Sequence, residues 1–132
     1  MSRVVEKDGR YSQVDASLGP AEFIVISNNP LRVPAVSVRA VIRAGMLYFT
    51  AAGTSGVTPR IRRGLAVSSP LVGEGNFETA KAPAGSVEYY YIVVSEELTN
   101  VAEVTYSFTC EIGGAAVAST LQEAFIDAEL LV

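Results

Sequence analysis

Between residues 23 and 73 the chain carries six arginines and no acidic residue: Arg32, Arg39, Arg43, Arg60, Arg62 and Arg63. Arg39 and Arg43 stand four apart, and Arg60 and Arg62 two apart. On β-strands, where successive side chains alternate between faces, each pair shares a face. A guanidinium is planar, permanently charged and forked, so it fits a phosphate through two parallel hydrogen bonds. A sheet face carrying several of them binds nucleic acid mainly through backbone phosphates, with salt-dependent affinity. Thr105, Ser107 and Thr109 share a strand face and can add hydroxyl donors, while Glu103 and Glu111 at its ends oppose an anion. The candidate RNA-binding set is therefore Arg39, Arg43, Arg60, Arg62, Arg63, Thr105, Ser107 and Thr109. A competing use is internal. Residues 74–132 hold ten acids against a single base, Lys81, and arginines paired with them contribute about 0–1 kcal/mol per exposed pair.

Little else in the chain could do chemistry. It has no histidine, which removes the commonest general base and the usual partner of a nucleophilic Ser or Cys. Its single cysteine, Cys110, allows no internal disulfide and no multi-thiolate metal site. Glu96 and Glu97 are adjacent, so on a strand they point to opposite faces and cannot readily share a proton. No phosphate-binding loop, dinucleotide fingerprint or nucleophile elbow occurs, and Gly73-Glu74-Gly75 lacks the downstream glycine and helix of a phosphate cradle. The expectation is a chain that is not an enzyme, with no cofactor, no metal and no small-molecule substrate.

The elements that would position these residues are those of a single domain, 1–132, since 132 residues suffice for one core. Apolar residues make up 49%, charged residues 18%, and the mean hydropathy is +0.31. So few charges cannot easily cover a monomer's surface, and surplus apolar surface usually meets a partner. The N-terminal residues show no signal-peptide pattern, and the uncharged run of residues 44–59 is too short and too rich in Gly and Thr to span a bilayer. No membrane association is expected.

Period-2 alternation is clearest twice. Val36, Val38, Ala40 and Ile42 oppose Ser37, Arg39, Val41 and Arg43. Val104, Tyr106, Phe108, Cys110 and Ile112 oppose Glu103, Thr105, Ser107, Thr109 and Glu111. Other strands are predicted at 23–26, at 46–50 after a break at Gly45, at 64–67 with Pro59 at an edge, at Phe77 as a short strand within the 68–86 connection, and at 87–94. Asp8-Gly9 suggests a hairpin turn or a loose arm. Residues 52–56 form a loop, residues 68–86 read as a long surface connection, and residues 96–100 as a turn. After Gly113-Gly114 the pattern becomes helical: Val117, Leu121, Ala124, Phe125, Ala128, Leu131 and Val132 gather on one face, with a possible capping box from Thr120 to Glu123. Ile126 and Leu130 form a second apolar stripe. Val117, Leu121, Phe125, Ala128, Ile126 and Leu130 are the expected oligomer interface.

This order of parts, with a basic central strand pair, a last strand reading Ala102-Glu103-Val104-Thr105-Tyr106-Ser107-Phe108-Thr109 and a C-terminal helix, resembles the coat proteins of single-stranded RNA bacteriophages. The resemblance implies an α+β fold, mainly antiparallel β: one antiparallel sheet with a C-terminal amphipathic helix, in an interlocked dimer. It implies a structural coat protein that self-assembles through dimers into a virus shell enclosing RNA, with a place in the virion and assembly in the host cytoplasm. A small jelly-roll β-sandwich, as a capsid, penton or accessory structural protein, is the alternative, as is a non-viral oligomeric β-domain serving as a binding module.

Overall fold

The computed structural model describes residues 3–17, 21–49, 55–75, 77–78, 87–114 and 120–132. In chain order the strands are β1 Val4–Ser17, β2 Phe23–Ser27, β3 Leu31–Arg32, β4 Val38–Phe49, β5 Ser55–Arg63, β6 Leu71–Glu74, β7 Phe77–Glu78, β8 Val87–Leu98, β9 Glu103–Val104, β10 Tyr106–Gly114 and β11 Thr120–Leu131. Among the described residues there is no helix.

Two sheets and a short ribbon hold these strands. One sheet runs β1-β11-β4-β8, a second runs β2-β10-β5-β6 with β7 also on β5, and β3 pairs β9. Every pairing is antiparallel. The pairs are nested: β1 with β11, β2 with β10, β3 with β9, β4 with β8, and β5 with β6 and β7. That is one long hairpin, wrapped so that its alternate segments fall into opposite sheets. Two further pairings, β11 with β4 and β10 with β5, close each sheet. The result is a jelly-roll sandwich.

The core lies between the sheets. From the first come Val38, Ala40, Ile42, Ala44 and Met46 of β4, Ala124, Ile126, Ala128 and Leu130 of β11, and Ile92 of β8. From the second come Val57 and Ile61 of β5 and Tyr106, Phe108 and Cys110 of β10. The approach is close enough that a Cβ on Gly73 of β6 would overlap the Val94 side chain of β8. Burying each large aliphatic or aromatic side chain here contributes roughly 1.5–3 kcal/mol.

The expected one-sheet α+β layout is thereby corrected to an all-strand two-sheet sandwich, and the C-terminal helix to β11. The physical reason is that the segment satisfies both periods. Leu121, Phe125 and Ala128 line up on a helical wheel. Ala124, Ile126, Ala128 and Leu130 alternate just as well with Glu123, Phe125, Asp127 and Glu129. Flanking strands on both sides, β1 and β4, satisfy the backbone of the second choice and decide it. The helix that the phage-coat layout lays across a partner's sheet is thus replaced here by the strand β11.

Smaller boundaries also move. Asp8 and Gly9 lie inside β1, opposite Ala128 and Asp127, and make no hairpin. Gly45 does not break β4. Residues 64–67 are the turn after β5 rather than a strand, with Gly64 at φ 137°. The 101–112 alternation divides into β9 and β10 at Thr105, and the connection at 68–86 contains β6 in addition to the short strand expected at Phe77, which is β7. Pro59 lies in an interior strand. Gly75 donates its N–H to the Pro59 carbonyl at 2.9 Å, so the missing Pro59 N–H would face the same side. There the partner strand is interrupted, β6 ending opposite Arg60 and β7 resuming opposite Val57.

Candidate functional site

Two outer faces gather the residues with chemical potential. On the second sheet, Ser107 stands opposite Arg62 and Thr109 opposite Arg60. Four of the candidate RNA-binding residues therefore share one patch. An acid from outside the sheets fills it. The Glu22 carboxylate accepts from Arg62 Nε at 2.6 Å, Arg62 Nη2 at 2.9 Å, Arg60 Nη1 at 2.7 Å and Thr109 Oγ1 at 2.7 Å. Arg60 also donates to Glu74 at 2.9 Å and to Glu111 at 2.9 Å. The bond from Arg62 draws the Glu22 carboxyl down to about 2, against its own desolvation, with help from Thr109 and the Arg60 charge. Desolvation disfavours the Arg60 charge, yet Glu74 and Glu111 hold that guanidinium above its ordinary range.

This carboxylate covers Thr109, which is fully buried although it faces away from the core, as is Ser107 beside it. Ser107 donates to the Gly64 carbonyl at 2.5 Å and accepts from Ser27 at 2.7 Å. Thr105 sits outside the patch, at the bend between β9 and β10, where its carbonyl accepts from Gly64 N–H at 2.8 Å. Arg63 lies at the end of β5 and spans to the other sheet, donating to Glu96 through Nη2 at 2.7 Å and Nε at 3.0 Å. The Tyr106 hydroxyl donates to the same carboxylate at 2.7 Å. Burial and Glu96 together push the Tyr106 hydroxyl well above its usual range.

Arg39 and Arg43 are on the outer face of the first sheet, away from the other three. Arg43 reaches Glu129 at 3.6 Å, and Arg39 makes no ion pair among the described residues. Glu123, Asp127 and Glu129 of β11 share this face, and among them lies an apolar patch. Tyr11, Phe125, Gly45 and Tyr91 form a row directly across its four strands. The Phe125 and Tyr91 rings lie 6.0 Å apart. Gly45 is required here by close approach: a Cβ would lie 2.6 Å from Phe125 Cε1 and 2.9 Å from the Tyr90 carbonyl. Beside this row is a cavity of about 160 Å³, lined by Tyr11, Leu47, Tyr89, Glu123 and Phe125 among others. Desolvation, then a bond to Glu123, raises the Tyr11 hydroxyl above its ordinary range.

The chain is similar to three solved structures of low identity. The structure of infectious bursal disease virus, Gx strain, matches with 8% identity and a TM-score of 0.42, covering 99% of this chain and 37% of that one. Dimeric latent PorU from Porphyromonas gingivalis matches with 13% identity and a TM-score of 0.33, over 97% of this chain and 13% of that one. A crystal structure of the IBDV viral particle matches with 10% identity and a TM-score of 0.32, over 99% of this chain and 39% of that one. The chain thus spans well under half the length of each. No protein-family model and no curated protein matches it.

Of the expected interface residues, Leu121, Ile126, Ala128 and Leu130 pack inside the chain's own sandwich, each at most 1% exposed. Phe125 is half-buried on the outer face, and Val117 lies outside the described residues. Two features carried sequence signals that went unread. Glu22 is the last acid before the acid-free arginine segment. Tyr89, Tyr91 and Val93 alternate with Tyr90, Ile92 and Val94 inside the strand predicted at 87–94, and this alternation divides it into an outer and an inner face.

Proposed function

We propose that the chain is a structural domain that assembles with copies of itself into a virus-type shell, with a place in the virion and assembly in the host cytoplasm. The observation that carries this reading is an apolar patch on the outer face of a sandwich that has already completed its core. Tyr11, Tyr89, Tyr91 and Val93 are 60%, 57%, 44% and 51% exposed, around the half-buried Phe125. Large contiguous apolar patches on a soluble domain mark contact surfaces. The jelly roll supports the reading only as an architecture: it serves shells, lectins and cupins alike. The outer-face surplus is what favours assembly over the other uses.

The RNA component of the proposal rests on Arg39 and Arg43. Arg60 and Arg62 already hold Glu22, Glu74 and Glu111, and Arg63 holds Glu96, so an RNA phosphate would have to displace a carboxylate there. The test is size and absorbance of the purified protein. Particles of megadalton mass support a shell, and a monomer at every concentration overturns it. A raised 260/280 absorbance ratio, lost in Arg39→Ala with Arg43→Ala while particles persist, supports RNA contact by that face. Particles free of nucleic acid, or unchanged packaging in the double variant, remove the RNA component.

A further inference from the structure

The first sheet ends in two edge strands, β1 and β8, and they are built differently. An exposed edge offers unpaired N–H and C=O groups to any other strand, and natural edges are usually protected by charges, glycine, proline or bulges. β1 has such protection. It carries Glu6, Lys7, Asp8, Gly9 and Arg10 in succession, and its register with β11 shifts twice, between Val4 and Glu6 and between Gln13 and Ala16. β8 has almost none. It contains no Lys, Arg, Pro or Gly, and its register with β4 runs without a shift from Val38 opposite Leu98 to Phe49 opposite Val87. Among the described residues no strand pairs with its other side. Tyr89, Tyr91 and Val93 stand exposed along it.

We infer that β8 pairs edge to edge with β8 of a second copy, antiparallel about a twofold axis, joining two four-stranded sheets into one. The inference rests on the self-association proposed above and specifies its surface. A twofold pairing of identical strands sets each residue against its mirror position, and opposite residues must share a face. Centring the axis on Tyr91 sets Tyr91 against Tyr91 and Tyr89 against Val93 of the second copy, so aromatic meets aromatic or β-branched on the outer face. The same register sets Glu88 against Val94. Moving the axis to Ile92 sets Glu88 against Glu96, a like-charge pair that opposes pairing. Glu88 and Glu96 therefore select against that slip, while the exposed apolar residues select the Tyr91 centre. The joined outer face would carry two copies of the Tyr11, Phe125 and Tyr91 row in one continuous surface.

Sedimentation velocity across a dilution series tests this with three variants. Tyr91→Lys sets like charges against each other at the axis, at a solvent-exposed position, and is expected to weaken association roughly tenfold or more while the far-ultraviolet circular dichroism stays that of the wild type. Ile24→Lys places the same charge at a 37%-exposed position on β2, an edge strand of the other sheet, and leaves association unchanged. Tyr91→Cys, opposite its own copy, forms a covalent dimer on mild oxidation, because directly opposite Cβ atoms are about 4.5–5.5 Å apart, near the span of a disulfide. Val93→Cys, opposite Tyr89 of the second copy, does not. A wild-type oligomer that is indifferent to Tyr91→Lys, or that crosslinks as well through Val93→Cys, overturns the edge pairing and leaves assembly standing. A wild-type monomer at all concentrations overturns both.

Discussion

Protonating or neutralising Glu22 should loosen the second sheet's outer face, and the size of the effect follows from its contacts. Its carboxyl is drawn from an ordinary 4.5 to about 2. Full linkage between those values corresponds to about 3 kcal/mol of stability. The side chain keeps 14% exposure and its partners Arg60 and Arg62 keep 16% and 15%, so solvent screening reduces the contribution to about 2 kcal/mol. The sign is set by a folded-state value below the unfolded one: the contribution is complete above about 4.5 and disappears as pH falls towards about 2. Glu22→Gln keeps the shape but removes the charge shared by Arg60 and Arg62. Urea unfolding followed by tyrosine fluorescence should show the variant about 2 kcal/mol less stable at pH 7, with the gap between variant and wild type closing as the pH approaches about 2. A gap that is absent at neutral pH, or that stays constant through the acid range, would refute the carboxylate clamp as a source of stability.

Gly45→Val should cost about 1–3 kcal/mol in the same unfolding assay, because the added carbons overlap Phe125 and the Tyr90 carbonyl; a variant as stable as the wild type would show that the ring moves freely aside. Cys110 is fully buried and its thiol is pushed up to about 12, chiefly by desolvation. It should resist a thiol reagent at pH 8 in native buffer and react fully in denaturant, as a colorimetric thiol titration would show.

Legibility in the sequence varied with how many demands a segment satisfied. β10 was readable because its alternation is strict, with Tyr106, Phe108 and Cys110 against Ser107 and Thr109. The shared face of Arg60, Arg62, Ser107 and Thr109 followed from the same period. The occupant of that face did not, because Glu22 is far away in the chain and only the wrapping of β2 beside β10 brings it there. β11 was misread because Ala, Leu and Glu suit a helix in isolation, and its strand state depends on β1 and β4, partners more than seventy residues away in sequence. Two sheets instead of one were equally hidden, since which strands share a sheet is a property of the nested pairing and not of any local pattern.

The nested pairing also sets an order in time. β11 lies between β1 and β4, and these two do not pair with each other. Until β11 is available, the first sheet has a missing centre, and the apolar faces of β1 and β4 stay apart. Nearly every contact of the fold joins distant parts of the chain, the pattern associated with folding in milliseconds to seconds rather than microseconds. During synthesis the most exposed surface is thus the gap that β11 will fill, and it closes only when the C-terminal strand threads between its neighbours. The backbone then extends the pairing by one step: Arg3 and Val132 exchange two hydrogen bonds of 3.0 Å beyond the β1–β11 register.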